Sequence, residues 1–255
     1  MNLVINIGNT LIKAAIFSGD EIAVLWTGEA MDEAALRKLV AEHKPAAAIV
    51  SSVRAMPVKH TEHELVRPHA LPPGLQFLAN FGFPVLVAGP HLQLPITRRY
   101  DTPDTLGTDR LAAAIAAAAR FPGQHSAVIN AGSCLTIDFV SNNNEYLGGT
   151  IAPGLMMRLK AMHHHTGRLP LITKLPDETA LIGKTTEQSM LSGAINGMAA
   201  EIDGIINRRQ KEIGFFNVIL SGGDGKIFVK KLKSSIFALD NIVLYGLNLM
   251  LKHNV

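Results

Sequence analysis

Cysteine is all but missing from this 255-residue chain, with Cys134 the single example. One thiol excludes an intramolecular disulfide framework and suits a reducing compartment. Excess charge is missing too: Lys and Arg number 24 against 21 Asp and Glu, a formal balance of +3. No basic block extends beyond Lys230, Lys231 and Lys233, so that cluster reads as a solvated face and no nucleic-acid partner is implied. Long apolar runs are absent, since the alanine-rich stretch 111–119 falls well short of the roughly 20 residues a spanning helix needs. The amino terminus has no basic segment and carries Asn6 and Asn9 within its first ten residues. The expectation is a cytoplasmic protein without a membrane partner. What the chain does have is 47% hydrophobic and 18% charged residues, which argues against disorder and allows one large core or two modest ones.

A repeat favours two. Residues 3–13 read LVINIGNTLIK and residues 127–140 read AVINAGSCLTIDFV, so an apolar run followed by Asn, one apolar residue, Gly and two small polar or polarisable residues occurs twice. In each copy Val and Ile favour a strand, Gly admits a second backbone, and Asn9, Thr10, Ser133 and Cys134 place donors at the turn. Two such hairpins facing each other would cradle a phosphate chain. Each alone is equally an ordinary β-hairpin.

In order, 3–7, 11–17 and 21–27 read as strands, with Ser18-Gly19-Asp20 turning between the last two. Residues 31–43 have apolar Ala34, Leu36, Leu39 and Val40 at helical spacing, and 46–53 reads as a buried strand, giving β-β-β-α-β. An irregular His- and Pro-containing stretch, 56–83, precedes a strand at 84–88. Before the alanine-rich helix, Gly107 and Thr108 form a helix start with Thr108 as cap, placing Asp109 and Arg110 in the first turn, where the helix dipole favours the ionised carboxylate. Asp109 is there either for chemistry or to complement the helix end. Tyr100 either lines that pocket or packs under it. After a polar turn at 142–145, YLGGTIAPG (146–154) enters a helix at 155–162, with Gly148, Gly149 and Gly154 permitting close backbone approach. His163, His164 and His165 are consecutive and point about 100° apart on a helix, so they do not converge on one metal. In the helix of 183–208, Gly193 and Gly197 share a face that admits a second helix, as core or dimer packing. A strand at 216–220 enters SGGDG (221–225), which suits a nucleoside against backbone or any tight strand-to-helix turn, and the chain ends in helical and apolar segments that include 242–247.

Taken together, INIGNTLIK, LGTDRLAAAIAA, INAGSCLTIDFV, YLGGTIAPGL, TGRLP, IGKTTEQSMLSGAING and LSGGD resemble, in order and over residues 3–247, the type III pantothenate kinases, which are similar in fold to the sugar kinase, heat-shock ATPase and actin superfamily. The resemblance implies an α/β protein of two duplicated ribonuclease H-like domains, 1–115 and 116–255, each a mixed five-stranded sheet with helices, with nucleotide in the interdomain cleft. It implies a transferase that moves the γ-phosphoryl of ATP to pantothenate, the first step of coenzyme A biosynthesis. The ATP-binding residues it implies are Asn6, Gly8, Asn9, Thr10 and Lys13 in one hairpin, Gly132, Ser133, Cys134 and Thr136 in the other, and Gly222 and Gly223 beside adenosine. For the acceptor it implies Tyr100, Gly107, Thr108, Asp109 as catalytic residue, Arg110, and Thr186 delivered across a homodimer interface. Mg2+ with ATP and a monovalent cation, K+ or NH4+, complete the set.

One departure stands out. Members of that family open both hairpins with aspartate, whereas this chain has Asn6 and Asn130 at the metal positions. An amide keeps the shape but offers a hard cation only a weak carbonyl ligand. Asp138 either supplies a carboxylate from the neighbouring strand or fixes the hairpin. The alternatives to a pantothenate kinase are a kinase for another small hydroxylated acceptor and a nucleotide-binding or regulatory homologue without turnover.

Overall fold

A computed structural model describes residues 1–53, 71–89 and 91–255. In chain order its first elements are β1 (Asn2–Ile7), β2 (Ile12–Ser18), β3 (Glu21–Gly28), α1 (Glu33–His43), β4 (Ala47–Ser52), β5 (Val85–Val87), β6 (Thr97–Arg98) and α2 (Thr108–Arg120). There follow β7 (Ser126–Ala131), β8 (Cys134–Val140), β9 (Glu145–Pro153), α3 (Leu155–His164), α4 (Thr186–Ile213), β10 (Asn217–Ser221), α5 (Gly225–Val229), β11 (Phe237–Ala238) and α6 (Ile242–Asn254). Part of the irregular stretch expected at 56–83 lies outside the described residues; the rest includes a 3-10 turn, Gln76–Phe81, with Phe77 and Leu78 buried. Contacts divide the chain into one unit of Met1–Arg120, Asn144–Tyr146 and Asn241–Val255, and another of Phe121–Asn143 and Leu147–Asp240. The carboxy-terminal helix therefore belongs with the amino-terminal sheet.

In the first unit the sheet order is β3-β2-β1-β4-β5. β1 runs antiparallel to β2 and parallel to β4. Side chains alternate across the sheet, so Leu3, Ile5 and Ile7 join Ile12, Ala14 and Ile16 in a core closed by Leu36, Leu39 and Val40 of α1. α1 starts at Asp32, whose Oδ1 accepts from the Ala35 amide at 2.9 Å, and stops at Lys44 in a left-handed conformation. Ala34, expected on the apolar stripe, is exposed instead, because the buried face begins at Leu36. α6 reaches the opposite side of the sheet, where Asn2 Nδ2 donates to Asn248 Oδ1 at 2.9 Å and the Phe17 and Tyr245 rings meet edge to face. Its Gly246 lies so close to α2 that a Cβ would overlap the Ala112 carbonyl oxygen. That approach explains the alanine run, since small side chains let two helix backbones close up. Thr108, expected as the cap of α2, is its first helical residue, and its hydroxyl is engaged by Ser51. Gly107, whose carbonyl accepts from the Leu111 amide, holds the position before it.

The second sheet has the order β11-β10-β7-β8-β9-β6, six strands where five are expected. The additional strand is β6, whose Thr97 and Arg98 pair with Glu145 and Tyr146 at the start of β9. Without it the order β9-β8-β7-β10-β11 repeats β3-β2-β1-β4-β5, with an antiparallel hairpin and then a parallel neighbour in each. The duplication read from two hairpins thus extends to both sheets. Ile129, Ala131, Leu135 and Ile137 pack with Leu155 and Leu159 of α3 and with Ile195, Met198 and Ile202 of α4. At the start of α4, Thr185 Oγ1 accepts from the Gln188 amide at 3.1 Å while Gln188 Oε1 accepts from the Lys184 amide at 2.9 Å, a reciprocal cap. Gly193 and Gly197, expected to admit a helix, are exposed with nothing within 4 Å of an added Cβ. No helix among the described residues is long and apolar enough to cross a membrane.

Candidate active site

The first hairpin turns through residues 8–11, with Ile7 facing Ile12. The Gly8 amide donates to the Leu11 carbonyl at 3.0 Å, and a Cβ on Gly8 would stand 2.8 Å from that oxygen. Glycine is therefore required by the closeness of the turn. Asn9 and Thr10 are exposed at its tip. Asn6 is paired across the sheet with Lys13 on β2 and Ser51 on β4, and its Oδ1 is buried without a hydrogen-bond partner. Lys13 Nζ donates to Asn241 Oδ1 at 2.7 Å.

Ser51 links this hairpin to α2. Its Oγ lies 2.7 Å from Thr108 Oγ1, which brings Asn6, Ser51, Thr108 and Asp109 into one succession of neighbours. Asp109 Oδ1 accepts from the Arg110 amide at 2.9 Å, and a Cβ on Gly107 would meet the same oxygen at 2.7 Å. The glycine leaves room for the carboxylate. Arg110 is buried, with its guanidinium carbon 6.0 Å from the centre of the Tyr146 ring, and Tyr100 stacks at a tilt on the same ring at 5.8 Å. Tyr146 is fully buried and joins two of the expected acceptor residues. Sequence reasoning treated it only as the first letter of a glycine-rich strand; the available signal was its rarity, as one of three tyrosines.

The second hairpin turns through residues 132–134, one residue tighter, with Ala131 facing Leu135 and the Gly132 amide donating to the Cys134 carbonyl at 3.0 Å. Two other glycine segments close on it. The Gly154 amide donates to the Ser133 carbonyl at 3.2 Å, and a Cβ on Gly154 would collide with the Gly132 carbonyl oxygen. Gly222, at φ +98°, abuts the Ala131 backbone, and the Asp224 amide donates to the Ala131 carbonyl at 2.9 Å. Only glycine takes both that φ and that proximity without strain. Gly223 has open space around it. Asn130 faces Thr136 on β8 and Ser221 on β10, and the two-residue period puts buried Asp138 on the same sheet face as Thr136. Burial pushes the Asp224 carboxyl above the usual carboxylate range. Thr186 is exposed in the first turn of α4, in company with the Thr185–Gln188 cap.

The histidine run ends α3. His163 Nδ1 is 2.7 Å from the Leu169 carbonyl, and the His164 and His165 rings meet edge to face. Among the described residues no three His, Cys, Asp or Glu side chains form a metal cluster. The unpartnered Asn6 carbonyl is a single neutral oxygen donor, a weaker ligand for a Mg2+ carried on nucleotide phosphates than the one or two carboxylates such an ion ordinarily takes.

Two sheets that repeat one strand order, each with a glycine hairpin, give an α/β fold shared with sugar kinases of known structure. The overall fold is similar to that of a ROK family glucokinase from Streptomyces griseus in complex with glucose and AMPPNP (TM-score 0.51, 13% identity, 98% of this chain and 99% of that one). It recurs in a structure from Campylobacter jejuni provisionally described as a Baf family transcriptional activator (TM-score 0.58, 19% identity, 99% and 98%). Within that fold the chain belongs to the type III pantothenate kinase family, whose model matches residues 2–208. The type III pantothenate kinase of Cytophaga hutchinsonii is 38% identical over 255 residues, covering 100% of both chains.

Proposed function

We propose that this protein transfers the γ-phosphoryl group of ATP to the terminal hydroxyl of pantothenate, at the first step of coenzyme A synthesis. The observation that carries the reading is the full-length membership of the type III pantothenate kinase family, and Asp109 at the start of α2, reached from the first hairpin through Ser51 and Thr108, supports it. Asp109 orients the acceptor hydroxyl and takes its proton as the oxygen attacks the γ-phosphorus; the bond from that phosphorus to the β–γ bridging oxygen breaks and its electron pair leaves with ADP. Catalysis of this kind is positioning plus electrostatics. The hydroxyls of Thr10 and Ser133 and the Lys13 ammonium hold the phosphates, beside hairpins whose Gly8 and Gly132 amides close the turns, while Gly222 and Gly223 lie against adenosine. Tyr100 and Arg110, backed by Tyr146, form the acceptor side. Mg2+ bound with ATP would supply charge neutralisation, and Asn6 and Asn130 are the amides that would hold it. A monovalent cation, K+ or NH4+, is part of the same proposal, as is a homodimer in which Thr186 completes the partner's acceptor site.

Acceptor-dependent ADP release tests the reading: pantothenate should start turnover, and ADP formation that ignores pantothenate overturns it. A second reading, a nucleotide-binding homologue without turnover, is favoured by Asn6 and Asn130 alone. The two separate on the Asn6→Asp, Asn130→Asp variant. A unit charge 4 Å from another is worth about 4 kcal/mol at an effective dielectric of 20, so restored carboxylates should raise kcat at least about tenfold and sharpen its magnesium dependence. Loss of a transition-state interaction lowers kcat and kcat/KM together. Equal kcat in parent and variant over a magnesium titration would show that neither amide governs the metal.

A further inference from the structure

The side chain of Asn241 has an unusual employment. It stands immediately before α6, where asparagine ordinarily caps a helix, yet it makes no side-chain cap hydrogen bond. Only its backbone serves the helix, with the carbonyl accepting from the Leu244 amide at 2.8 Å. The amide oxygen instead accepts from Lys13 Nζ at 2.7 Å, across a sequence separation of 228 residues. Asn241 is held for this by its left-handed backbone, φ 59° and ψ 27°, which asparagine tolerates better than most residues. α6 behind it is fixed at several points: Gly246 against the Ala112 carbonyl, Asn248 bonded to Asn2 and to the Gly19 carbonyl at 3.1 Å, and Lys252 paired with Asp20.

We propose that Asn241 is a positioning residue for Lys13, holding its ammonium at the mouth of the first hairpin by a neutral acceptor that orients the charge without cancelling it. The proposal rests on the kinase reading above, in which Lys13 meets the triphosphate. A lysine side chain has four rotatable bonds, and fixing them before nucleotide arrives removes an entropic cost from binding. The choice of an amide matters as much as its position. Asn6, the residue facing Lys13 across the sheet, is also an amide, so neither Asn6 nor Asn241 sets a negative charge beside the ammonium. An aspartate at 241 would form an ion pair and neutralise it.

The test is a double-mutant cycle on the full chain, with MgATP affinity by titration calorimetry and steady-state kinetics. Asn241→Gly deletes the acceptor while suiting a positive φ and remaining a serviceable helix start; Asn241→Asp keeps the shape and adds the charge. The glycine variant should bind MgATP about three- to thirtyfold more weakly, the upper figure set by lysine's rotamer freedom. That loss should appear in KM for ATP with kcat within about threefold, because the contact exists before and during transfer. The aspartate variant should lose more. In a Lys13→Gln background the glycine change should become silent, and the aspartate change should keep only the repulsion between its own charge and the triphosphate. Equal effects in the two backgrounds, or unchanged ATP affinity in both Asn241 variants beside a weakened Lys13→Gln, overturns the proposal and leaves the kinase reading standing. Unchanged ATP affinity in Lys13→Gln overturns it as well, and pantothenate-dependent turnover of the parent reports separately on the kinase reading.

Discussion

Asp109 and Asp224 are both carboxylates at helix starts, and their surroundings differ. Asp109 borders Gly107 and accepts from the next amide, so one oxygen is held by the backbone while the second can address an acceptor. A positioned general base contributes on the order of 10²- to 10⁴-fold. If Asp109 is the proposed base, Asp109→Asn should lower kcat for pantothenate phosphorylation by about that factor and leave ATP affinity within a few-fold, because the role proposed for it is toward the acceptor and not the triphosphate. A variant that turns over like its parent removes Asp109 from the chemistry. Asp224 is half-buried, and desolvation raises its folded carboxyl pKa. Below the unfolded value both states hold the proton and nothing is lost. As pH rises through the ordinary range and past the raised folded value, the unfolded chain ionises first and folded stability falls. Asp224→Asn should accordingly melt higher than the parent at about pH 7 and no higher at about pH 3, below the carboxylate range. A difference in melting temperature that is the same at both pH values would remove burial of the charge as its cause.

At the scale of elements, α6 ties together parts of the first unit that are far apart in sequence. It meets the first hairpin through the residue just before it, Asn241, β1 through Asn248, and α2 through Gly246. Its Gly246 is the tightest of these, since a methyl there would overlap the Ala112 carbonyl and neither helix backbone can swing aside as a flexible side chain can. Overpacking of this sort costs about 1–3 kcal/mol, and at about 2–4 °C per kcal/mol for a chain of this size Gly246→Ala should melt several degrees lower. A scanning calorimetry trace superposable on the parent's would mean that the two helices separate freely. α2 carries Thr108, Asp109 and Arg110 at its start, so the same variant should raise KM for pantothenate more than KM for ATP. The helices themselves were legible because their signals are local, as with Leu36, Leu39 and Val40 at helical spacing in α1. What was not legible is which sheet α6 joins, because an apolar helix states that it is buried and not against what. The misreading of Thr108 as a cap has the same root. Its hydroxyl partner, Ser51, is 57 residues away, and no local pattern announces it.

Over the whole molecule, duplication was the most legible property, since Asn6-Ile7-Gly8 and Asn130-Ala131-Gly132 repeat a local device and the two sheet orders follow it. Residues whose importance comes from distant partners escaped: Tyr146 beneath Tyr100 and Arg110, and Asn241 beneath Lys13. A property of the same non-local kind is assembly. The long helix α4 turns Met190, Leu191, Ile195, Met198 and Ile202 into the core and leaves Gly193, Gly197 and Ala200 exposed on the other side, a strip on which a second backbone can approach closely. Leu181 and Ile182, each 75% exposed, precede the same helix and add apolar surface close to Thr186. A homodimer in which Thr186 completes the partner's acceptor site makes two linked demands. Specific activity should fall on dilution through the dimer dissociation constant, and it should fall because KM for pantothenate rises while ATP binding persists. Gly197→Arg, which puts a long charged side chain on the exposed strip, should shift sedimentation toward the monomer and reproduce the diluted enzyme's kinetics at high concentration. Mixing Thr186→Ala with Asp109→Asn supplies the decisive comparison, because each inactive parent lacks a different half of one acceptor site. If Thr186 acts across the interface, the mixed dimer regains one intact site, and about a quarter of wild-type activity should return at equal concentrations on statistical mixing alone. A fully active monomer in the ultracentrifuge, or no recovery on mixing after subunit exchange has been verified, would remove Thr186 from the partner's site.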